Sequence, residues 1–502
     1  MVPIEIILMS LITFIPYVIL LFYLWLLKNI VSFGITLYYR GKIVPLENSD
    51  IFWAVGENYH NLINLVLFLN GKGEDTDVEK DVKEVIQERM FKHPEKYGKM
   101  MCSLNTFLGY PYLLREEMTT DDIVTVIHAE KANYKSMQDL VFSYSNKPMP
   151  QKDKLMWEVI IVKASSDWKR VNGIRDDQIP MFIRINHTIA DGLCVMNLCA
   201  QTLGENNITF EDSLKKIVPK SPGWTKIPPV KTLQELFLFF IVPGYLIVSF
   251  LKGTLNKFDG PYTSTKHHIA FRAEKSGDGL LQTIKKLKND IGDTSFSEII
   301  LTAVSASIYN QFQKHYHRVP KSVSLAVVAT RDLQPMNVNG VPILKNQFGL
   351  VNLEIPVKTG SSSLLHRMDL LKKNSRNLLK SPELLMHNYI NFNLFQLIPI
   401  PIMKVLFPLN NIWGLISNLP VFPKIVVFNG YEVEDVYFFT PLRDQMGTGF
   451  ALISYDSRIH LGFIADVASV ATKEDCDEIV NDIFTNIDLL KLEVEKQKLN
   501  IS

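Results

Sequence analysis

The feature that most limits how this chain can fold is an uncharged apolar run near its N-terminus. Residues 6–27 (IILMSLITFIPYVILLFYLWLL) hold 22 residues without a charge. As an α-helix this run would extend about 33 Å, close to the hydrocarbon thickness of a bilayer. The sequence therefore predicts a transmembrane helix, with residues 1–44 as an N-terminal membrane anchor.

A cleaved signal peptide is the main alternative for this run. Such peptides carry a basic stretch, a shorter apolar run and small residues before the cleavage site. Here the only charge before the run is Glu5, and the run ends in the bulky residues 24–27, so a retained anchor is favoured. Because Pro16 disrupts helical hydrogen bonding, a re-entrant hairpin is a second alternative.

Positive charges follow the run but do not precede it. Lys28, Arg40 and Lys42 lie after the apolar residues, and the positive-inside rule places that side in the cytosol. The expected location is a membrane, most simply that of the endoplasmic reticulum, with the plasma membrane as the alternative, and the remaining chain facing the cytosol.

Charge and cysteine content exclude several classes of function. The chain has 53 Lys+Arg against 52 Asp+Glu, a balance that gives no basic surface for nucleic acid. Its four cysteines (Cys102, Cys194, Cys199 and Cys476) form no CxxC pair and have no His at metal-ligand spacing. We therefore expect no bound metal, no disulfide framework and a reducing compartment.

At 502 residues the chain is longer than one ordinary domain. After the anchor we expect a first globular lobe at 45–215, a linker with an apolar membrane-associated segment at 216–263, and a second lobe at 264–495. Residues 219–232 are rich in Pro and Lys, as linkers are. The apolar stretch 236–251 is interrupted by Pro243 and Gly244 and predicts a buried or interfacial helical hairpin. A third apolar stretch, 393–409, contains three prolines and is expected at a membrane interface.

Periodicity predicts alternating helices and strands in both lobes. The predicted helices are 79–94, 193–204 (ended by Gly204), the helix that follows a capping box of Ser295 and Glu298, and the charged tail 473–498. The predicted strands are 157–165, 181–187, 323–330 and 349–357.

The segment RINHTIADG (184–192) carries the chemistry. A predicted strand runs into His187, and Asp191 and Gly192 follow in a turn. Imidazole accepts a proton near neutral pH, so a His at a strand end can act as general base toward a hydroxyl. Asp191 can fix the local geometry, and Gly192 allows a backbone conformation or close approach that a Cβ would block. The alternative is a structural His beside an ordinary Asp-Gly turn.

This segment resembles the HHxxxDG motif of the wax ester synthase/diacylglycerol acyltransferase family, within the chloramphenicol acetyltransferase-like superfamily. Further segments match the family in order across roughly residues 45–490. They are MWEVIIV (156–162), LKNDIGDTSFSEIILTAVSASI (287–308), VSLAVVATRDLQP (323–335), NQFGLVNLEIPV (346–357), ISNLPV (416–421) and GTGFALISYDSRIHLGFIAD (447–466).

The sequence departs from the family pattern at two places. The first His of the motif is Asn186 here, while the second, which the family is held to use as base, is His187. The family's SNVPGP appears as SNLPVF, which keeps Ser417, Asn418 and Pro420 and loses the Gly. By resemblance Ser417 or Asn418 supplies a hydrogen-bond donor to the reaction's oxyanion, with Asn186 as a weaker candidate.

The resemblance implies an α/β fold with two similar lobes and a reaction channel between them. It implies direct acyl transfer from acyl-CoA to a long-chain fatty alcohol or a diacylglycerol, with no tightly bound cofactor and no metal, and with membrane lipid beside the alcohol end. In the superfamily Asp191 would pair with an arginine, here Arg331 or Arg184. Two other readings stay open: a condensation-type enzyme that forms amides, and a catalytically silent protein that binds lipid or acyl-CoA.

Overall fold

The structure is a computed structural model of the chain. It describes every residue except 1, 45, 47, 56–60, 74–76, 151–153, 206–227, 256–263, 265, 276, 278, 317, 330–336, 339–340, 347, 382, 407–411, 444–445 and 501–502. Most of the predicted linker 219–232 therefore lies outside the described residues.

The α-helices of the described chain are numbered in order. They are α1 Ile4–Tyr39, α2 Asn48–Ala54, α3 Val78–Ile86, α4 Thr120–Ile123, α5 Met137–Ser145, α6 Ser166–Val171, α7 Gly192–Gln201, α8 Pro228–Leu255, α9 Leu280–Ile291, α10 Phe296–His315, α11 Leu364–Lys380, α12 Glu383–Asn393, α13 Ile400–Leu406 and α14 Lys473–Leu499. A π-helical turn Gln87–Phe91 extends α3, and 3₁₀ turns occur at Gly98–Met101 and Phe395–Leu397.

The strands are numbered in the same way. They are β1 Ile43–Val44, β2 Leu62–Asn70, β3 Cys102–Phe107, β4 Tyr110–Arg115, β5 Val124–His128, β6 Trp157–Lys163, β7 Gln178–Asn186, β8 His267–Ala273, β9 Ser322–Ala329, β10 Asn337–Val338, β11 Val341–Pro342, β12 Gly349–Pro356, β13 Gly414–Phe422, β14 Val426–Val427, β15 Tyr431–Phe439, β16 Thr448–Tyr455 and β17 Arg458–Asp466.

Two six-stranded mixed sheets form the two lobes of this α/β fold. The first has the order β14-β15-β2-β7-β6-β5 and the second the order β12-β9-β13-β16-β17-β8. Strands β14 and β15 come from the second half of the chain, and β15 pairs antiparallel with β2 of the first half. The lobes are therefore joined through a shared sheet, and the division at residues 215 and 264 stays a proposal.

The secondary structure predicted around the motif is confirmed. Strand β7 lies between β2 and β6 and is buried along nearly its whole length, as expected of a central strand rich in β-branched and aromatic residues. Helix α7 follows it but ends at Gln201, three residues before the predicted terminator Gly204. The predicted capping box is present, since Ser295 and Glu298 bond reciprocally at the start of α10.

The two apolar helices differ from the sequence prediction. Helix α8 continues through Pro243 and Gly244, so the predicted hairpin is wrong. Helix α1 likewise continues through Pro16, which excludes the re-entrant hairpin. Ser10 of α1 packs against α8 at this point: the Ser10 hydroxyl donates to Ile241 O at 3.1 Å and accepts from Gly244 N at 3.2 Å.

Helix α1 is packed against the rest of the protein along its whole length. Its buried side chains form one stripe, and they are Ile6, Ser10, Tyr17, Leu24, Val31 and Ile35. Ile6, Tyr17 and Leu24 pack in a cluster with α8 and α12, and Val31 and Ile35 pack around Tyr110. Helix α1 and the segment Leu233–Leu251 of α8 are each long and apolar enough to cross a membrane, and they pack on each other.

A substitution at Gly244 tests this helix pair. A Cβ there would lie 2.2 Å from Ile6 O and 2.4 Å from Ser10 Oγ, so the helices would have to separate. We expect Gly244→Leu to destabilise the protein by about 1–3 kcal/mol, as overpacking does, and to lower the melting temperature in detergent by several degrees. Gly34→Leu is the control, because nothing lies within 4 Å of a Cβ at Gly34 of α1. Equal melting temperatures for the two variants would contradict the packing.

Candidate active site

His187 follows directly on the end of the central strand β7. Its backbone N–H donates to Asn61 O at 2.7 Å, and the residue is buried. The His187 imidazole stacks on the Trp53 ring, with centroids 4.0 Å apart and planes 22° from parallel. The Phe348 ring meets it edge-on at 5.7 Å. Two aromatic side chains thus hold the ring in one plane.

The polar contacts of His187 come from the second half of the chain. Its Nδ1 lies 2.8 Å from Oδ1 of Asn346, and its carbonyl oxygen accepts a hydrogen bond from Asn346 Nδ2 at 2.8 Å. Burial lowers the pKa of His187 from its usual value to about 3, although the hydrogen bonds to the residue oppose this shift. The imidazole is therefore neutral at physiological pH, which is the state that a base requires.

Asp191 acts as the N-cap of helix α7. Its Oδ1 accepts from Cys194 N at 3.0 Å, and its own N–H donates to Lys345 O at 3.1 Å. Of the two arginines expected as its partner, Arg184 forms an ion pair with Glu158, and Arg331 lies outside the described residues. The carboxylate thus orients the turn after His187 by capping the next helix.

The structure corrects the expected role of Gly192. A Cβ at this position would make ordinary contacts with Leu419 at 3.6 Å, so no close backbone approach requires glycine here. Gly192 instead lines the cavity beside His187, where a missing side chain leaves room. Asn186 holds the same turn, because its Oδ1 accepts from Thr188 N at 2.9 Å.

A cavity of about 530 Å³ lies between the lobes and brings the predicted site residues together. His187, Asp191 and Gly192 line it from the first half of the chain, and Ser417 and Asn418 on β13 line it from the second. Its volume is within the ordinary range of small-molecule sites. The predicted channel therefore has a counterpart in the fold, whereas Asn186 does not line it.

Several residues of the cavity were not predicted. Trp53 and Phe348 hold the His187 ring, and Lys285 and Lys288 are exposed cavity-lining residues on α9. Phe348 and Asn346 lie in the NQFG segment, which is part of the family resemblance, so the resemblance could have indicated them as site residues. The lysines belong to a visible basic run, while nothing in the sequence distinguished Trp53.

Metal-ligating side chains do not cluster in the described part of the chain. No group of three or more His, Cys, Asp or Glu side chains there could hold a metal ion. The four cysteines are unpaired and buried, and burial raises the pKa of the Cys199 thiol to about 12. These thiols are therefore not activated nucleophiles.

Comparison with known proteins shows which family model and which solved structures the chain resembles. Residues 344–491 match the family model described as the WS/DGAT C-terminal domain. The wax ester synthase/diacylglycerol acyltransferase from Marinobacter aquaeolei VT8 has the same fold, with a TM-score of 0.56 at 14% identity over 89% of this chain and 100% of that chain. No curated protein sequence gives a significant match.

Two further solved structures share the fold. The trichothecene 15-O-acetyltransferase from Fusarium sporotrichioides has a TM-score of 0.56 at 11% identity, over 88% of this chain and 95% of that one. The first condensation domain of the CDA synthetase has a TM-score of 0.55 at 10% identity, over 90% and 96%. The predicted two-lobed fold is thereby confirmed. Residues 344–491 match the C-terminal domain model of the wax ester synthase/diacylglycerol acyltransferase family, and the chain as a whole has the fold shared by these solved structures.

Proposed function

We propose that the protein transfers an acyl group from acyl-CoA to a lipid alcohol, with His187 as general base. The observation that carries the proposal is the placement of His187 in the cavity wall with one ring nitrogen engaged. Because Nδ1 is hydrogen-bonded to Oδ1 of Asn346, Nε2 is the ring nitrogen available to a hydroxyl in the cavity. Such a base contributes typically about 10²–10⁴-fold to the rate.

The reaction proceeds by direct transfer. His187 Nε2 accepts the hydroxyl proton while the alcohol oxygen attacks the thioester carbonyl. A tetrahedral oxyanion forms, and the cavity-lining side chains of Ser417 and Asn418 are its proposed donors. The C–S bond then breaks, and the proton held by His187 passes to the CoA thiolate. The products are an ester and free coenzyme A.

The charge of the cavity supports an acyl-CoA donor. Lys285 and Lys288 are three residues apart on α9, so they occupy one face of the helix. Both line the cavity and are exposed. Two ammonium groups suit the phosphates of coenzyme A, so we assign this end of the cavity to the donor.

The outer surface of α1 supports a membrane-bound acceptor. Its exposed side chains between residues 4 and 27 include no charged group other than Glu5, and the most exposed are Ile4, Leu11, Ile12, Ile15 and Tyr23. An apolar surface of this kind requires a covering of lipid. The proposed acceptors, long-chain fatty alcohols and diacylglycerols, dissolve in the same lipid.

Helix α8 does not cross the membrane in this proposal. Its two ends lead into lobes that share a sheet, and only eight residues separate Leu255 from Ser264. A return crossing would need a further helix of about 20 residues. We therefore propose that α8 lies at the membrane surface beside α1, with the lobes on the cytosolic face of the endoplasmic reticulum.

Loss of the base tests the reaction. We expect His187→Ala to lower ester formation by about 10²–10⁴-fold while melting temperature and membrane flotation stay unchanged. The assay uses membranes, labelled acyl-CoA and a panel of fatty alcohols, diacylglycerol and amines, resolved by product class. His366→Ala is the control, because His366 is exposed on α11.

Three results would contradict the proposal. Normal turnover by folded His187→Ala would remove the base assignment. Amide products alone would favour the condensation-type reading, which the shared fold allows. No product from any acceptor would favour the silent binding protein.

We expect Asp191 to affect activity indirectly, by holding the turn after His187. We expect Asp191→Ala to lose the N-cap and about 0.5–2 kcal/mol of stability, with activity falling as the turn after His187 loosens. Asp191→Ser keeps a capping oxygen and should retain most of the stability and activity. Melting temperature and activity per folded protein measure the difference. A stable but inactive Asp191→Ser would mean that the carboxylate charge itself is needed.

The two cavity lysines should govern donor binding. We expect Lys285→Glu/Lys288→Glu to raise KM for acyl-CoA about 10-fold, since each exposed ion pair contributes about 0.2–1 kcal/mol and the charges are reversed. The effect should weaken at high salt, and kcat should change little. Lys286→Glu is the control, because Lys286 is on the same helix but faces Glu495 at 3.8 Å. An unchanged KM in the double variant would remove the donor assignment.

A further inference from the structure

We propose that Asn346 is the positioning residue that holds His187 in the tautomer needed for catalysis, with the proton on Nδ1 and the lone pair on Nε2. The inference rests on the proposed role of His187 as base. Asn346 does not line the cavity, so it acts on the reaction through the imidazole.

The orientation of the Asn346 amide is determined by its own contacts. Its Nδ2 lies 2.8 Å from the His187 carbonyl oxygen and 2.8 Å from Oδ1 of Asp50. Both of these atoms are acceptors, so the NH₂ group must face them. A flipped amide would set its oxygen against a carbonyl and a carboxylate, which is repulsive.

This orientation decides the tautomer of His187. With the NH₂ group so placed, Oδ1 of Asn346 faces His187 Nδ1 at 2.8 Å. An amide oxygen only accepts hydrogen bonds, so Nδ1 must carry the proton. The lone pair is then on Nε2, the nitrogen that the proposed reaction uses. Without Asn346 the neutral ring could carry its proton on Nε2 and could not act as base there.

Asn346 is itself fixed by buried groups from the N-terminal part of the chain. Its backbone N–H donates to Asp50 Oδ1 at 3.3 Å, and its carbonyl oxygen accepts from the Ser49 hydroxyl. Lys99 pairs with the buried Asp50 carboxylate at 2.5 Å. Because a buried carboxylate requires such a partner, Lys99 allows Asp50 to orient the amide as an anion.

The Asn346 amide fixes the tautomer without placing a formal charge beside the imidazole. A carboxylate at the same place would favour the imidazolium and raise the pKa of His187. The neutral Asn346 oxygen fixes the tautomer and still accepts from Nδ1–H when His187 becomes protonated during the reaction. Asn346 therefore fixes the tautomer with a smaller rise in the pKa of His187 than a carboxylate would cause.

Two substitutions at Asn346 test the inference in the full-length, membrane-bound protein. Asn346→Ala should lower kcat by at least about 10-fold and at most by the ~10⁴ of the base itself, with KM for acyl-CoA nearly unchanged. Asn346→Asp is combined with Asp50→Asn, because a carboxylate at position 346 would otherwise face the carboxylate of Asp50, and this double variant keeps an acceptor for Nδ1–H. Its carboxylate should retain more kcat at alkaline pH than Asn346→Ala and should move the acidic limb of the pH–kcat profile to higher pH.

Asn486→Ala is the matched control. Asn486 is also a buried amide, with Nδ2 at 3.3 Å from Ser307 Oγ, but it lies between helices and does not line the cavity. This variant should lose stability and keep its kcat per folded protein. The inference would be overturned if Asn346→Ala behaved in the same way while His187→Ala was inactive. It would also be overturned if the double variant Asn346→Asp/Asp50→Asn was folded but lost activity without moving the acidic limb. Full turnover by His187→Ala would instead remove the proposed function.

Discussion

The contact between His187 and Asn346 is the constraint on which the proposed site depends. These residues are 159 positions apart, and each comes from a different half of the chain. The neighbouring Lys345 carbonyl also accepts from Asp191 N. A single short segment of the second half therefore holds both ends of the turn that carries the proposed base, and any separation of the lobes would release it.

Burial and hydrogen bonding have separate effects on this base. Desolvation keeps the imidazole of His187 neutral, and stacking on Trp53 limits its rotation. The hydrogen bond to Asn346 selects which nitrogen presents its lone pair. This arrangement requires an ion pair between Lys99 and the buried Asp50 carboxylate, which contacts Asn346. The buried carboxylate is stable only because its partner is present.

On the apolar side of the molecule, the contact between α1 and α8 also joins distant parts of the chain. Helix α8 contains Pro243 and Gly244, which weaken a helix taken alone. The Ser10 hydroxyl bonds to groups on both sides of this point, and the missing Gly244 side chain lets α1 approach. Hydrogen-bonding side chains and small residues are common where apolar helices pack closely.

The sequence by itself determined the local parts of this protein. Strand β7 and the position of His187 at its end follow from patterns within about 20 residues, where periodicity acts. The apolar character of α1 and α8 was equally plain. The family resemblance carried the two-lobed fold and pointed to Ser417 and Asn418, which the structure does bring to the cavity.

Only the tertiary structure decided how these parts meet. The Asn346 amide reaches His187 and Asp50 across 159 and 296 positions, and no local pattern encodes such a pairing. The packing of α1 on α8 and the insertion of β15 into the first sheet depend likewise on distant partners. Gly192 was misjudged for the same reason, since its surroundings, not its neighbours in the chain, set what a side chain there would meet. Buried polar groups must find partners wherever the fold brings them, and that requirement acts through space.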